Sequence, residues 1–315
     1  MTRAAGATLA MLVQAACRRS TSQRSSNAGA PLSVPTNDPK DLSASTASTP
    51  LDPRAHLRVV ELTIPGGDWE KRATLLVPNP PSEAALPVLV ALHGMGETVD
   101  PETGAHGWLD AYELDVAIAR LCAPPLDEDA FRGFVTPDRL QAVNASLAQH
   151  PYRGVIVCCP YLPRAIGGDV SFDAYARFLA DELLPRVRAS TPARSELSAT
   201  GIDGVSLGGV TALTLGVMRP DVFGAVGALQ AAISADQVDR VADDLAHRIG
   251  KRPLRITTSE DDVYHDVLVA LDRALVARGV AHEFAVEPGP HDYIWNKGPG
   301  AIDMLLWHDR VLRGG

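Results

Sequence analysis

An α/β fold, with a largely parallel sheet covered on both faces by helices, is predicted by two features of this 315-residue chain. Short apolar runs of strand length recur near Val88, Gly154, Thr200, Phe223, Leu254 and His282, alternating with segments of helical period. The run Thr200-Gly201-Ile202-Asp203-Gly204-Val205-Ser206-Leu207-Gly208-Gly209-Val210 sets a serine between glycines where a strand turns abruptly into a helix. With 46% hydrophobic and 21% charged residues, the composition suits one ordinary domain with a sizeable core.

The first fifty residues stand outside that domain. Met1-Thr2-Arg3 is a short basic start, Ala4 to Ala16 is apolar but too short for an ordinary membrane helix, and Cys17 follows two alanines. Residues 1–16 resemble a bacterial lipoprotein signal peptide, with Gln14 departing from the usual aliphatic residue. That resemblance implies cleavage before Cys17, lipid on its thiol, and an exported protein held at a membrane surface, periplasmic or extracellular. The alternative is an ordinary N-terminus on a cytoplasmic protein. Residues 17–50, dense in Ser, Thr, Ala, Asn and Pro, suit a flexible tether, so the folded domain is expected over 51–315.

Along the domain, Leu57 to Ile64 and Lys71 to Val77 read as an opening hairpin, and Pro87 to Leu92 as a core strand ending in the loop His93-Gly94-Met95-Gly96. An insertion over about 97–152 contains a helix near Leu109 to Cys122. It forms either a wall of a pocket, with Trp108, Phe131 and Phe134 as pocket residues, or a surface addition pinned by those aromatics. Val155 to Val157 is the next strand, and Phe172 to Arg188 a helix with Tyr175, Phe178, Leu179 and Leu183 inward. After the serine come a small-residue buried helix ended by Arg219-Pro220, a strand from Val222, and a helix from Ala235 to Ile249. The strand Pro253 to Thr258 precedes Ser259-Glu260-Asp261-Asp262, then a helix bearing Val267, Leu271 and Leu275, a strand through Phe284 and Val286, and Pro288-Gly289-Pro290-His291-Asp292-Tyr293. No internal repeat is present.

This order, a serine at a strand–helix turn, then acidic residues and a histidine on later loops, is that of nucleophilic acyl transfer. Gly204 and Gly208 are required because a Cβ would collide as the helix doubles back on the strand. Ser206 needs a base, and the imidazole of His291 titrates in the working range. Negative charge developing on a carbonyl oxygen needs preorganised N–H donors, assigned to Leu207 and Met95, with Gly96 competing for the second place. His93, at the strand end, is expected to hold the loop rather than act as base. His265, His282 and His308 need only surface or packing roles, and Asp292 and Trp295 are expected to cap and anchor the terminal helix. No metal-ligand spacing or phosphate-binding loop is found, so no cofactor is implied. A net charge of −9 argues against a nucleic-acid partner. Cys122, Cys158 and Cys159 are expected to be free thiols; in an exported protein Cys122 has one of the pair as a possible disulfide partner.

The sequence resembles the putative esterase family of α/β-hydrolases, the group of esterase D and enterochelin-esterase-like proteins. The similarity runs through Leu92-His93-Gly94, Gly204-Val205-Ser206-Leu207-Gly208-Gly209, Arg219-Pro220-Asp221-Val222-Phe223-Gly224-Ala225-Val226 and Pro288-Gly289-Pro290-His291-Asp292-Tyr293-Ile294-Trp295. It implies the α/β-hydrolase fold from about residue 55 onward and a serine esterase acting on a small-molecule ester, with Ser206 as nucleophile and His291 as base. The family's acid falls several residues past the strand end, which favours Asp262, with Asp261 the alternative and Glu260 third. Pro290 replaces a glycine common in the family, and the insertion is long; both alter where substrate shape is set. Two other readings use the same residues: an acyltransferase that excludes water, and a surface binding protein that keeps the fold without turnover.

Overall fold

The structure, a computed structural model, describes residues 52–313. The leader, the tether and Cys17 lie outside the described residues.

Eight strands form one sheet: β1 (Leu57–Ile64), β2 (Lys71–Pro78), β3 (Val88–Leu92), β4 (Ile156–Pro160), β5 (Thr200–Gly204), β6 (Ala225–Leu229), β7 (Leu254–Asp261) and β8 (Glu283–Pro290). Their order is β1-β2-β4-β3-β5-β6-β7-β8. β1 and β2 make the expected antiparallel hairpin, β2 joins β4 antiparallel, and every pair from β4 to β8 is parallel. Positions in β3, β4 and β6 are buried throughout, so these strands read as continuous apolar runs rather than alternations. This is an α/β-hydrolase sheet, with loops that follow the parallel strands gathered at one edge.

The helices are α1 (Pro101–His106), α2 (Leu114–Cys122), α3 (Pro137–Gln149), α4 (Phe172–Arg177), α5 (Leu184–Ser190), α6 (Leu207–Met218), α7 (Val238–Arg248), α8 (His265–Ala277) and α9 (Ala301–Val311). Successive strand residues feed opposite faces. Leu75, Val90, Phe178, Val210, Leu245 and Leu271 belong to one core, and Leu76, Leu89, Trp108, Val157, Trp295 and Met304 to the other.

Two helix expectations need correction. The helix expected from Leu109 begins only at Leu114, because Glu113 adopts the left-handed conformation (φ 51°) after a wide turn at Gly107–Ala111. The helix expected over Phe172 to Arg188 is interrupted at Phe178–Leu183 by another wide turn joining α4 to α5. The possible disulfide does not form: Cys158 and Cys159 are buried free thiols in β4, and Cys122 is an exposed free thiol at the end of α2.

Candidate active site

The tightest point of the fold is the turn from β5 into α6. Ser206 sits there at φ 57° and ψ −113°, a conformation that costs a non-glycine residue energy and persists only where its surroundings impose it. They do so through backbone bonds: Ser206 N–H donates to Leu229 O at 2.9 Å, and Ser206 O accepts from Ala232 N–H at 3.0 Å. A Cβ on Gly208 would stand 2.3 Å from Leu92 O, and one on Gly204 would stand 2.6 Å from Gly208 C. Both glycines are therefore steric requirements of the turn, as the sequence predicts. Leu207 opens α6, so its N–H lies among those without an intrahelical acceptor.

His291 and the acid arrive on the two last strands. Asp261 pairs with Pro290 across β7 and β8, so the residues that follow, Asp262 and His291, leave the sheet side by side. His291 Nδ1 lies 2.8 Å from Asp262 Oδ1 and Nε2 lies 3.2 Å from Ser206 Oγ. The Asp262 side chain has no solvent exposure. Its Oδ1 also accepts from Tyr264 N–H at 2.9 Å and its Oδ2 from the Thr258 hydroxyl at 2.7 Å. A carboxylate only accepts, which assigns the imidazole proton to Nδ1 and turns the Nε2 lone pair toward Ser206. Asp261 and Glu260 are exposed to solvent. Gln230, missed in the sequence, reaches this junction from the end of β6. Its Nε2 donates to Pro290 O at 3.0 Å and to Ser259 Oγ at 2.6 Å, holding the residue before His291.

His93 has the loop-holding role expected of it. Fully buried, it accepts from Leu162 N–H at Nε2 (2.9 Å), which puts its proton on Nδ1, 2.8 Å from Gly94 O. Burial lowers its pKa, so the ring stays neutral. A cavity of about 180 Å³ beside Ser206 is lined by Met95, Glu97, Tyr112, His291 and Tyr293 among others. The insertion therefore supplies part of the wall through Glu97 and Tyr112. Trp108 and Phe131 are instead core residues, 0% and 1% exposed, and Phe134 packs against the same core. They anchor the insertion and are not pocket residues. Asp292 Oδ1 caps the turn Tyr293–Trp295 by accepting from Trp295 N–H at 2.9 Å.

Beneath the elbow lies a buried ionic cluster. Asp203 of β5 accepts from Gly204 N–H (2.8 Å), from Arg255 Nη2 of β7 (2.7 Å) and from His308 Nε2 of α9 (2.9 Å). Burial raises the Asp203 carboxyl, but the Arg255 charge and these hydrogen bonds outweigh it and hold the group below its ordinary range. Burial pushes His308 down, and its Nδ1 makes no hydrogen bond. His308 is buried, as a packing role requires, but it also donates to Asp203, a polar role beyond the packing expected of it. Among the described residues no cluster of three His, Cys, Asp or Glu is arranged to hold a metal ion.

Residues 162–268 match the putative esterase family. That match spans about a third of the chain, from Leu162, just past β4, through the serine turn to the start of α8. The chain has the fold of several solved structures. A ferulic acid esterase superposes with a TM-score of 0.58 at 19% identity, covering 82% of this chain and 99% of that one. A ferulic acid esterase from the anaerobic fungus Anaeromyces mucronatus gives 0.56 at 16% identity, with 84% and 94% covered. An S-formylglutathione hydrolase from Staphylococcus aureus gives 0.52 at 15% identity, with 81% and 97% covered. At these identities the likeness establishes the α/β-hydrolase fold. No curated protein matches the chain in sequence.

Proposed function

We propose that the protein is a serine esterase, hydrolysing carboxylic esters through a Ser206–His291–Asp262 triad and a covalent acyl-enzyme. The observation that carries this reading is the imidazole of His291, which bridges a strained serine hydroxyl and a fully enclosed carboxylate. Ser206 Oγ attacks the ester carbonyl while His291 Nε2 takes its proton, and Asp262 stabilises the imidazolium that results. The oxyanion of the tetrahedral intermediate accepts from the N–H groups of Leu207 and Met95. His93 supports this assignment of Met95. It holds the Gly94 carbonyl, and in a planar trans peptide the Met95 N–H points the opposite way. Collapse expels the alkoxide, which takes the proton from Nε2. Water, deprotonated by the same nitrogen, then attacks the acyl carbonyl, and the acid is released with Ser206 Oγ reprotonated.

The substrate is a small-molecule ester. Its acyl class is approached through what the neighbouring structures are described as holding: one fungal ferulic acid esterase is complexed with ferulic acid, and a clostridial feruloyl esterase module with sinapinate. Purified protein is therefore assayed on p-nitrophenyl esters from acetate upward and on methyl ferulate, beside Ser206→Ala. Hydrolysis abolished by the substitution supports the triad. Undiminished hydrolysis in Ser206→Ala refutes it, and transfer to added alcohols in preference to water identifies an acyltransferase instead. Export with lipid on Cys17 is proposed from the sequence alone. Cys17→Ser is expected to move the protein from the membrane fraction to the soluble fraction, and unchanged fractionation would end that proposal.

A further inference from the structure

The carboxylate of Glu97 is 3% exposed and stands in the wall of the cavity that opens on Ser206. It takes hydroxyls from two tyrosines of different segments. Tyr112 donates to Oε2 and Tyr293 to Oε1 at 2.6 Å. Tyr112 in turn accepts the Gly94 N–H at 3.0 Å. Both hydroxyls lie against glycines of the loop His93-Gly94-Met95-Gly96. A Cβ on Gly94 would stand 3.0 Å from Tyr112 Oη, and one on Gly96 would stand 2.2 Å from Tyr293 Oη. Tyr293 follows His291 by two residues, so one carboxylate ties the loop carrying Met95 to the loop carrying His291.

We infer that Glu97 is a positioning residue, fixing through Tyr112 and Tyr293 the peptide groups that receive the oxyanion against the histidine loop. The inference rests on the triad reading given above. The Gly94 N–H is consumed by Tyr112, which removes it from the oxyanion site and leaves the next N–H, that of Met95, for the substrate. The Met95 carbonyl is itself held by the Thr98 hydroxyl at 2.8 Å, so the peptides on both sides of Met95 are fixed. Burial and the Glu97 charge keep both tyrosines protonated, Tyr293 being pushed up to about 12 and Tyr112 well above its ordinary value, so each remains a donor. A charge in this wall also repels a developing oxyanion. Removing it has opposite consequences under the two accounts: a faster reaction if Glu97 acts only as a nearby charge, a slower one if it holds the loop.

Glu97→Gln and Tyr293→Phe, in the full chain, are compared with the parent and with Ser206→Ala. kcat and KM for p-nitrophenyl acetate are normalised to sites titrated with a fluorophosphonate, and inhibition is measured with phenylboronic acid, whose boron becomes a tetrahedral anion on Ser206 Oγ. Expected are a fall in kcat of ~10- to 100-fold for Glu97→Gln and ~3- to 10-fold for Tyr293→Phe, KM within about threefold, and boronate affinity weakened in parallel. A kcat per titrated site that is unchanged or raised in both variants overturns the inference, as does a loss confined to KM. Tyr293 is 46% exposed, so removing its hydroxyl decides the matter even where Glu97→Gln does not fold. A parent without activity, or with activity that survives Ser206→Ala, overturns the triad reading itself and is distinguished by those controls.

Discussion

If the proposed triad operates, replacing Asp262 by Asn separates two contributions of the acid, its charge and its control of the imidazole tautomer. An asparagine that turned its NH2 toward His291 would force the Nδ1 lone pair to accept and move the proton to Nε2, where it could no longer receive one from Ser206. The surroundings of Asp262 oppose that orientation. Tyr264 N–H, a fixed backbone donor, lies 2.9 Å from the same Oδ1 that meets His291, whereas the partner of Oδ2 is the Thr258 hydroxyl, which can rotate to accept from an amide. The Asn carbonyl oxygen should therefore face His291 and preserve the tautomer, so that only the charge is lost. Unit charges ~4 Å apart in an effective dielectric of ~20 attract by ~4 kcal/mol. With half to three quarters of the imidazolium charge developed at the transition state, the loss is ~2–3 kcal/mol, or ~30- to 160-fold in kcat. The assay is steady-state hydrolysis of p-nitrophenyl acetate at pH 8, with Asp261→Asn as the exposed control, expected within twofold of the parent. A loss near 10⁴-fold for Asp262→Asn would show that the tautomer had inverted and that Tyr264 does not pin it. A loss under about threefold would remove Asp262 from the triad.

Other consequences are open to measurement. Ser206→Gly should abolish hydrolysis yet raise stability by ~1 kcal/mol, about 2 °C in Tm by calorimetry, since glycine accepts φ 57° without strain; an unchanged or lower Tm would contradict the strain. Gly208→Ala should cost more than ~3 kcal/mol or prevent folding, because its Cβ meets the Leu92 carbonyl oxygen at 2.3 Å, and a urea midpoint near that of the parent would contradict this steric account. His308 is held below its ordinary 6.5 in the fold, so the unfolded chain binds its proton first and stability falls as pH drops below about 6.5; Asp203, also lowered, adds a further loss toward its ordinary 3.8. Thermal unfolding between pH 8 and pH 5 should show the first loss, and should show less of it in His308→Gln; an identical slope would exclude His308. Of Cys122, Cys158 and Cys159, only Cys122 should be labelled by iodoacetamide before denaturation, and slowly, since burial raises its thiol too; peptide mapping that finds label in β4 of native protein would contradict the burial.

What could be read in the sequence is what local sterics and burial dictate. The elbow was legible because few backbones need glycine on both sides of a serine, and β3, β4 and β6 because strands buried on both faces must be apolar throughout. That Asp262 rather than Asp261 meets His291 is less legible: neighbouring acids in a loop look alike, and the difference comes from the register of β7 on β8, which has an irregularity between Ser259 and Asp261. Glu97 was invisible for another reason. A glutamate after a glycine loop looks like a solvated residue until the chain closes and brings Tyr112 and Tyr293 over it, from positions 15 and 196 residues away. The insertion's aromatics left two readings open, because Trp108 and Phe131 are as suitable for a core as for a pocket, and only packing distinguishes the two.

Asp203 carries a further signal in the sequence. It stands inside the strand that leads to Ser206, and a charge in a doubly covered strand costs several kcal/mol unless it is paired and hydrogen-bonded. Such a residue predicts its own partners: a cation on a nearby strand and a donor from the helix above, which are Arg255 on β7 and His308 on α9. Gly227 on the intervening strand β6 carries the corresponding steric mark. A Cβ there would lie 1.9 Å from Asp203 Oδ2, so the middle strand must lack a side chain for the carboxylate to reach across it toward Arg255. The strand that presents Ser206 is thus tied to β7, which presents Asp262, by a buried ion pair and to α9 by a hydrogen bond. Breaking that tie by Arg255→Met should destabilise the fold, and Ser206 and Asp262, the proposed nucleophile and acid, would then lose their shared frame together.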